Sequence, residues 1–274
     1  MKILVTGAKG MLGQDLCPVL EDENYEVIET SIENLDITDI NQVKNTLSEE
    51  KPDIVIHCAG YTNVDLAETE KELATKINVT GTENIAKCCA NNDITLVYIS
   101  TDYVFDGTKK EPYTPEDIPN PLNHYGQTKL EGELAVQEYC KKYYIVRTSW
   151  LYGHHGKNFV ETMIALAGKP KVKVVDDQVG CPTWTMDLSE GILDLIQENL
   201  DYGIYHICGS GYTTWYEFAK EIYKNLKLNV NLKPCKTENF PRHAKRPQFS
   251  AICNGIYRNW KIALKDYLKL REEL

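Results

Sequence analysis

Short apolar runs alternate along this chain with longer stretches whose apolar residues recur every three or four positions. Ile3-Leu4-Val5, Tyr25 to Ile28, Ile54 to Ile56, Ile94 to Ile99 and Tyr144 to Thr148 are short and mostly continuous, the pattern of parallel strands buried on both faces. Between them, Leu12, Leu16, Val19 and Leu20, then Val43 and Leu47, carry helical spacing. A long helix is expected from Glu68 to about Cys89, and another from Tyr125 to Tyr139. This βα alternation predicts an α/β fold, a Rossmann doubly wound parallel sheet.

Past Trp150 the alternation turns irregular. Lys171 to Asp176 reads as a strand, Asp187 to about Glu198 as a helix, and Gly203 to Cys208 as a strand. Thr214 to Leu226 is an amphipathic helix, and a last helix starts at Trp260. The expected division is a dinucleotide-binding unit over 1–150 plus about 185–210. A smaller mixed α/β C-terminal lobe takes about 151–184 and 211–274.

The turns carry the chemistry. After the first strand comes T-G-A-K-G-M-L-G, with Gly7, Gly10 and Gly13. One glycine permits a tight strand-to-helix turn, another lets backbone approach a pyrophosphate, and the third lets helix pack on strand. Met11 and Leu12 open a helix whose N-terminus faces the phosphates. The second strand ends in Glu29-Thr30-Ser31-Ile32-Glu33. With Ser31 at the ribose-reading position, no carboxylate repels a 2′-phosphate and no Arg or Lys attracts one; Glu29 or Glu33 there would favour the unphosphorylated cofactor. NADPH or NADH fits, with a slight lean to NADPH.

In L-D-I-T-D, Asp39 is a helix cap; Asp36, beside Ile37, either forms a turn or meets the cofactor's adenine. The third strand ends in the small residues Ala59 and Gly60, followed by Tyr61, which leaves room for a ligand. His57 within that strand reads as a satisfied core histidine. Asn78, unfavourable in a helix interior, holds backbone or a water near the site, or else is simply exposed.

Ser100 to Lys129 contains S-T-D-Y-V-F-D-G and Y-G-Q-T-K. Thr101 ends a buried strand, and Tyr125 and Lys129 lie four residues apart on one helix face. A hydroxyl, a phenol and an ammonium are a proton-transfer set for one carbonyl. Trp150, just past a strand end, either packs in the core or covers the apolar face of a sugar or base. Arg242, His243, Lys245 and Arg246 are the one dense basic cluster, which either contacts a ligand's phosphates or, taken alone, is expected as a solvated loop.

Composition narrows the partners. The 274 residues carry a net charge of -10 and no basic stripe, which argues against nucleic acid. No apolar run reaches the roughly 20 residues of a membrane span. The start resembles no signal peptide, and the nine cysteines are scattered, so reduced thiols in a cytoplasm are expected. His154-His155 has no companions at metal spacing, so no metal site is expected.

With the glycine run, S-T-D-Y-V-F-D-G, Y-G-Q-T-K, R-T-S-W-L-Y-G, D-D-Q-V-G-C-P-T and R-P-Q-F-S in hand, the chain resembles an extended short-chain dehydrogenase/reductase. Within that group it is similar to the dTDP-4-dehydrorhamnose reductases. The resemblance implies a Rossmann domain for NAD(P)H and a lobe for a dTDP-sugar. It gives Thr101, Tyr125 and Lys129 the catalytic roles, and it puts Thr62, Val64, Asp102, Tyr103 and Trp150 at the substrate. The implied reaction is reduction of a 4-keto sugar, with Lys129 lowering the Tyr125 phenol by roughly 3 from about 10. Gly60 stands where an alanine is usual. Dehydratases of this group need T-D-E, and here the triplet is Thr101-Asp102-Tyr103. A nucleotide-sugar 4-epimerase and a regulatory protein like the β subunit of methionine adenosyltransferase are the alternatives. A homodimer is compatible with all three.

Overall fold

The computed structural model describes residues 1–198, 200–253 and 255–273. In chain order, β1 (Lys2–Thr6), α1 (Met11–Asp22), β2 (Glu26–Thr30), α2 (Ile40–Glu50) and β3 (Ile54–His57) come first. Next are α3 (Lys71–Thr75), a π-helical segment (Lys76–Gly81), α4 (Thr82–Asn91), β4 (Thr95–Thr101), α5 (His124–Tyr139) and β5 (Tyr143–Thr148). The later elements are β6 (Leu151–Tyr152), α6 (Phe159–Leu166), β7 (Val172–Val175), β8 (Val179–Gly180), β9 (Thr183–Trp184) and α7 (Thr185–Gln197). They continue with β10 (Gly203–His206), β11 (Thr213–Thr214), α8 (Trp215–Asn225), β12 (Leu232–Cys235) and α9 (Trp260–Glu273).

Six strands form one parallel sheet in the order β2-β1-β3-β4-β5-β10. Alternate residues feed opposite layers, as the two-residue strand period requires. Ile3, Val5 and Ile56 pack under α1 and α7, against Leu12, Leu16, Leu188 and Ile192. Leu4, Val55 and Leu96 pack under the other helices, against Val43, Leu47, Ile85 and Val136. Burial on both faces is why these strands read as continuous apolar runs. Although α7 and β10 follow lobe segments in sequence, they return to this sheet. A separate core of Tyr152, Val160, Phe218, Trp260, Leu264 and Tyr267 holds the lobe.

The strand order reverses between β1 and β3, the place where open α/β sheets bind ligands. The stretch expected as one helix from Glu68 to Cys89 is broken. A 3₁₀ turn (Leu66–Glu68) precedes α3, and the π segment interrupts the helix at Lys76–Gly81. The physical reason is Asn78: its amide leaves the helix to bond outside it, and a widened turn aims it there.

Candidate active site

The glycine turn after β1 builds one wall. Gly7 has φ 67, and a Cβ there would lie 2.8 Å from the Ala59 nitrogen on β3's end. A Cβ at Gly13 would lie 2.5 Å from Ala8 Cα. Backbone thus closes on backbone at both points, as a pyrophosphate cradle requires. Gly10 caps α1 and offers no side chain to its first-turn N–H groups. These features fit a dinucleotide phosphate.

A cavity of about 460 Å³ opens here. It is lined by Gly7, Gly10, Met11, Leu12 and Gly13 from the first turn, and by Ala59, Gly60 and Thr62 after β3. Thr101, Asp102, Tyr125, Lys129 and Trp150 line it as well. Ser100, Thr148 and Ser149 also line it; they sit inside the S-T-D and R-T-S-W motifs, which was the available signal. Ser31, Asp36, Ile37, Tyr61, Val64, Asn78 and Tyr103 do not line it.

The opposite wall is set by α5. Asn123 caps it, accepting from Gly126 N at 2.8 Å, and its amide donates to Lys245 O at 2.8 Å. A Cβ at Gly126 would come within 2.2 Å of Tyr103 O, so only glycine lets the helix press on the strand end. Thr101, at that strand end, accepts from Tyr103 N at 3.1 Å and shares the cavity wall with Tyr125. Lys129 is buried, its ammonium 4.1 Å from the centre of the Tyr98 ring.

The shift of the phenol here is set by burial and runs opposite in sign to the expected lowering by Lys129. Burial pushes Tyr125 up to about 12, with the Asp102 charge adding to it and the Thr101 hydroxyl opposing. Burial also drops Lys129 to about 7, against the pull of Glu133. Desolvation dominates at each because both groups lie away from water.

The surroundings hold these groups in place. Asn78 accepts from Tyr61 N at 2.7 Å and donates to Tyr61 O and Thr128 Oγ1, both at 3.0 Å. It therefore ties the loop after β3 to α5, and the buried, backbone-holding reading stands. Glu133, one turn beyond Lys129, receives Arg147 Nε at 2.9 Å and Nη2 at 2.7 Å, and Ser100 Oγ at 2.5 Å. His57 is buried between the Thr6 and Thr82 hydroxyls, as expected of a core histidine.

Toward β2, Asp36 Oδ1 is taken by Thr38 N and Oγ1, a turn, and Ile37 is buried against Gly81. Asp39 caps α2 through Asn41 N. Ser31 donates to Glu33, and Lys9 reaches the same carboxylate at 3.3 Å. The absence of a cation expected at Ser31 is thereby corrected, because the glycine turn swings Lys9 beside it.

A second cavity of about 470 Å³ adjoins, lined by Asp65, Tyr103, Trp215, Phe240, Arg242 and Arg246, with Lys171 and Lys173. Trp150 and Trp215 stack between the two cavities, ring centres 3.4 Å apart and planes at 5°. The basic cluster is not merely a solvated loop. Arg246 pairs with Asp65 at 3.1 Å and lies over the Tyr103 ring, and Arg242 approaches the same carboxylate at 3.7 Å. Among the described residues no three His, Cys, Asp or Glu side chains gather as a metal site, and no helix is long and apolar enough to cross a membrane.

Comparison with known proteins adds to this geometry. The family described as "RmlD substrate binding domain" matches residues 1–270. The spore coat polysaccharide biosynthesis protein SpsK of Bacillus subtilis (strain 168) is 40% identical over 278 residues, 98% of each chain. A crystal structure of a dTDP-4-dehydrorhamnose reductase from Clostridium acetobutylicum ATCC 824 superposes with TM-score 0.96 at 47% identity, covering 99% of this chain and 100% of that one. A dTDP-4-dehydrorhamnose reductase from Bacillus anthracis str. Ames, solved in complex with NADP, gives 0.95 at 42% identity, covering 98% and 99%.

Proposed function

The chain belongs to the family of the RmlD substrate binding domain, the dTDP-4-dehydrorhamnose reductases among the extended short-chain dehydrogenase/reductases, and from that membership we propose the reaction it performs. It reduces the 4-keto group of dTDP-4-dehydro-L-rhamnose, giving dTDP-L-rhamnose. A nicotinamide cofactor, NADPH or NADH, supplies the hydride when bound along the glycine turn. The observation that carries the proposal is the meeting of Thr101, Tyr125 and Lys129 in the cavity that this turn walls.

In this reading Tyr125 protonates the developing alkoxide. A phenol raised to about 12 is fully protonated at neutral pH, the state a proton donor must start from. Lys129 orients the nicotinamide ribose and, when charged, stabilises the phenolate left behind. Thr101 donates to the carbonyl oxygen and fixes the ketone against Tyr125. The second cavity takes the nucleotide: Arg242, Arg246, Lys171 and Lys173 suit its diphosphate, and Phe240 or Trp215 its base. Residues 1–150 and about 185–210 then serve the cofactor, and the remaining lobe the sugar nucleotide, in a cytoplasmic enzyme.

Oxidation of NADPH on adding the ketosugar, followed at the nicotinamide absorbance, tests the reading. Tyr125→Phe is expected to lower kcat by about 100-fold or more while cofactor still binds. Near-normal turnover would refute the phenol's role. No oxidation by the unaltered protein would favour the regulatory alternative.

A further inference from the structure

Two carboxylates are buried beside the proton donors, and they are built differently. Glu133, 1% exposed, receives two N–H bonds from Arg147 and is constructed as an anion. Asp102, 2% exposed, lines the reaction cavity and has no ion-pair partner among the described residues. Its Oδ1 lies 3.1 Å from Thr101 Oγ1, and its Oδ2 lies 2.5 Å from Ser250 Oγ. An ionised carboxylate with hydroxyls as its side-chain hydrogen-bond partners and no ion pair is costly to bury. Ser250 comes from the late R-P-Q-F-S segment, whose Arg246 lines the second cavity.

The Thr101 hydroxyl has one proton and two acceptor sites. One acceptor site is filled by Tyr103 N. If Asp102 is ionised, the Thr101 proton goes to Oδ1. The free lone pair is then left facing the cavity as an acceptor, and the Thr101 proton points away from the substrate. If Asp102 carries its own proton, it donates to that lone pair instead. Thr101 is then free to donate to the carbonyl oxygen.

We infer that Asp102 is a positioning residue that works as a neutral carboxylic acid, its Oδ1 proton turning the Thr101 hydroxyl toward the substrate carbonyl. Ser250, donating to Oδ2, keeps that proton on the oxygen that faces Thr101. The inference rests on the reductase reading for its consequence, though not for the protonation itself. The charged and titratable groups facing Asp102 are Tyr125 from α5, Tyr103 on its own turn, and Arg246 from the late segment. Burial raises the carboxyl to about 7, with Ser250, Thr101 and Arg246 pulling the other way.

Infrared difference spectra of the whole protein, taken between about pH 6 and about pH 8, test the protonation directly. A protonated-carboxyl stretch that disappears in Asp102→Asn is expected, and in Ser250→Ala it should persist to higher pH. No such band in the unaltered protein overturns the inference, whether or not the ketosugar is turned over. The pH profile of kcat with NADPH and ketosugar tests the consequence. Asp102→Asn, whose amide can donate permanently to Thr101, should keep kcat within about tenfold at pH 6. It should gain on the unaltered enzyme as pH rises, because its donor cannot ionise. A variant-to-parent ratio that stays constant with pH marks a merely structural carboxylate and overturns the positioning role. Failure of the parent alone to turn over ketosugar would count against the reductase reading, while the infrared band would still decide the protonation of Asp102.

Discussion

Glu33 holds both the Ser31 hydroxyl and the Lys9 ammonium at the end of β2. Those contacts keep its carboxyl below the ordinary range, the Ser31 hydrogen bond foremost. A 2′-phosphate arriving here meets a carboxylate and can only gain Lys9 and Ser31 by displacing it. Glu33→Gln should therefore raise the ratio of kcat/KM for NADPH over NADH, by about threefold to tenfold, roughly one exposed charge contact. An unchanged ratio would show that the ribose lies elsewhere. Ser31 could be placed from the strand pattern alone. Lys9 could not, because it lies 24 residues away inside a glycine run and reaches Glu33 only through the fold. The same holds for the pKa of Tyr125: residue spacing shows that an ammonium is near, but not how much water both groups have lost.

On α5 the four-residue spacing of Tyr125 and Lys129 was enough to put both on one face. What spacing could not supply is how close that face comes to Thr101. Gly126 against Tyr103 O, Gly132 against the Tyr98 phenol and the Asn123 cap tied to Lys245 set that distance. Gly126→Ala puts a methyl where backbone carbonyl stands, and the carbonyl has no rotamer with which to yield. The helix must lift or the strand end must turn. A shift of even 1 Å between reacting groups costs about 100-fold in rate. The expected result is a kcat loss of that order with NADPH affinity little changed, since the glycine turn is remote from the clash. Loss of cofactor binding in step with kcat, measured by fluorescence titration, would mean the variant disturbs the whole site. The π segment was illegible for a related reason. An Asn at a helix interior signals a local cost, yet its partners, Tyr61 and Thr128, lie 17 and 50 residues away.

At the scale of the whole chain, the acidic total hides a cation-lined cavity, because Arg242 and Arg246 meet Asp65 only once the lobe folds back. Buried titrating groups likewise act on the molecule as a unit. Burial drops His57 to about 3 and His206 to about 4, both below the ordinary 6.5. Between about pH 4.5 and 6 the unfolded chain therefore binds two protons that the folded one refuses, and stability falls as pH falls. Asp102 works in the opposite sense. Raised to about 7 from an ordinary 3.8, it holds a proton when folded that the unfolded chain releases in the same window. The lesser shifts of His154 on one side and of Asp187 and Glu190 on the other oppose each other. Carboxyls held below their ordinary values, Glu33, Glu83, Glu116 and Glu161 among them, add to the histidines' side, so the balance is a net proton uptake on unfolding and stability should drop as pH is lowered. In Asp102→Asn the opposing proton is gone, and the slope should steepen by about 1.4 kcal/mol per pH unit. Urea unfolding at several pH values in this window measures both slopes, and their difference isolates Asp102 from every other group. Equal slopes would mean that the carboxyl is ionised in the folded chain, and the Thr101 hydroxyl would then point away from the substrate.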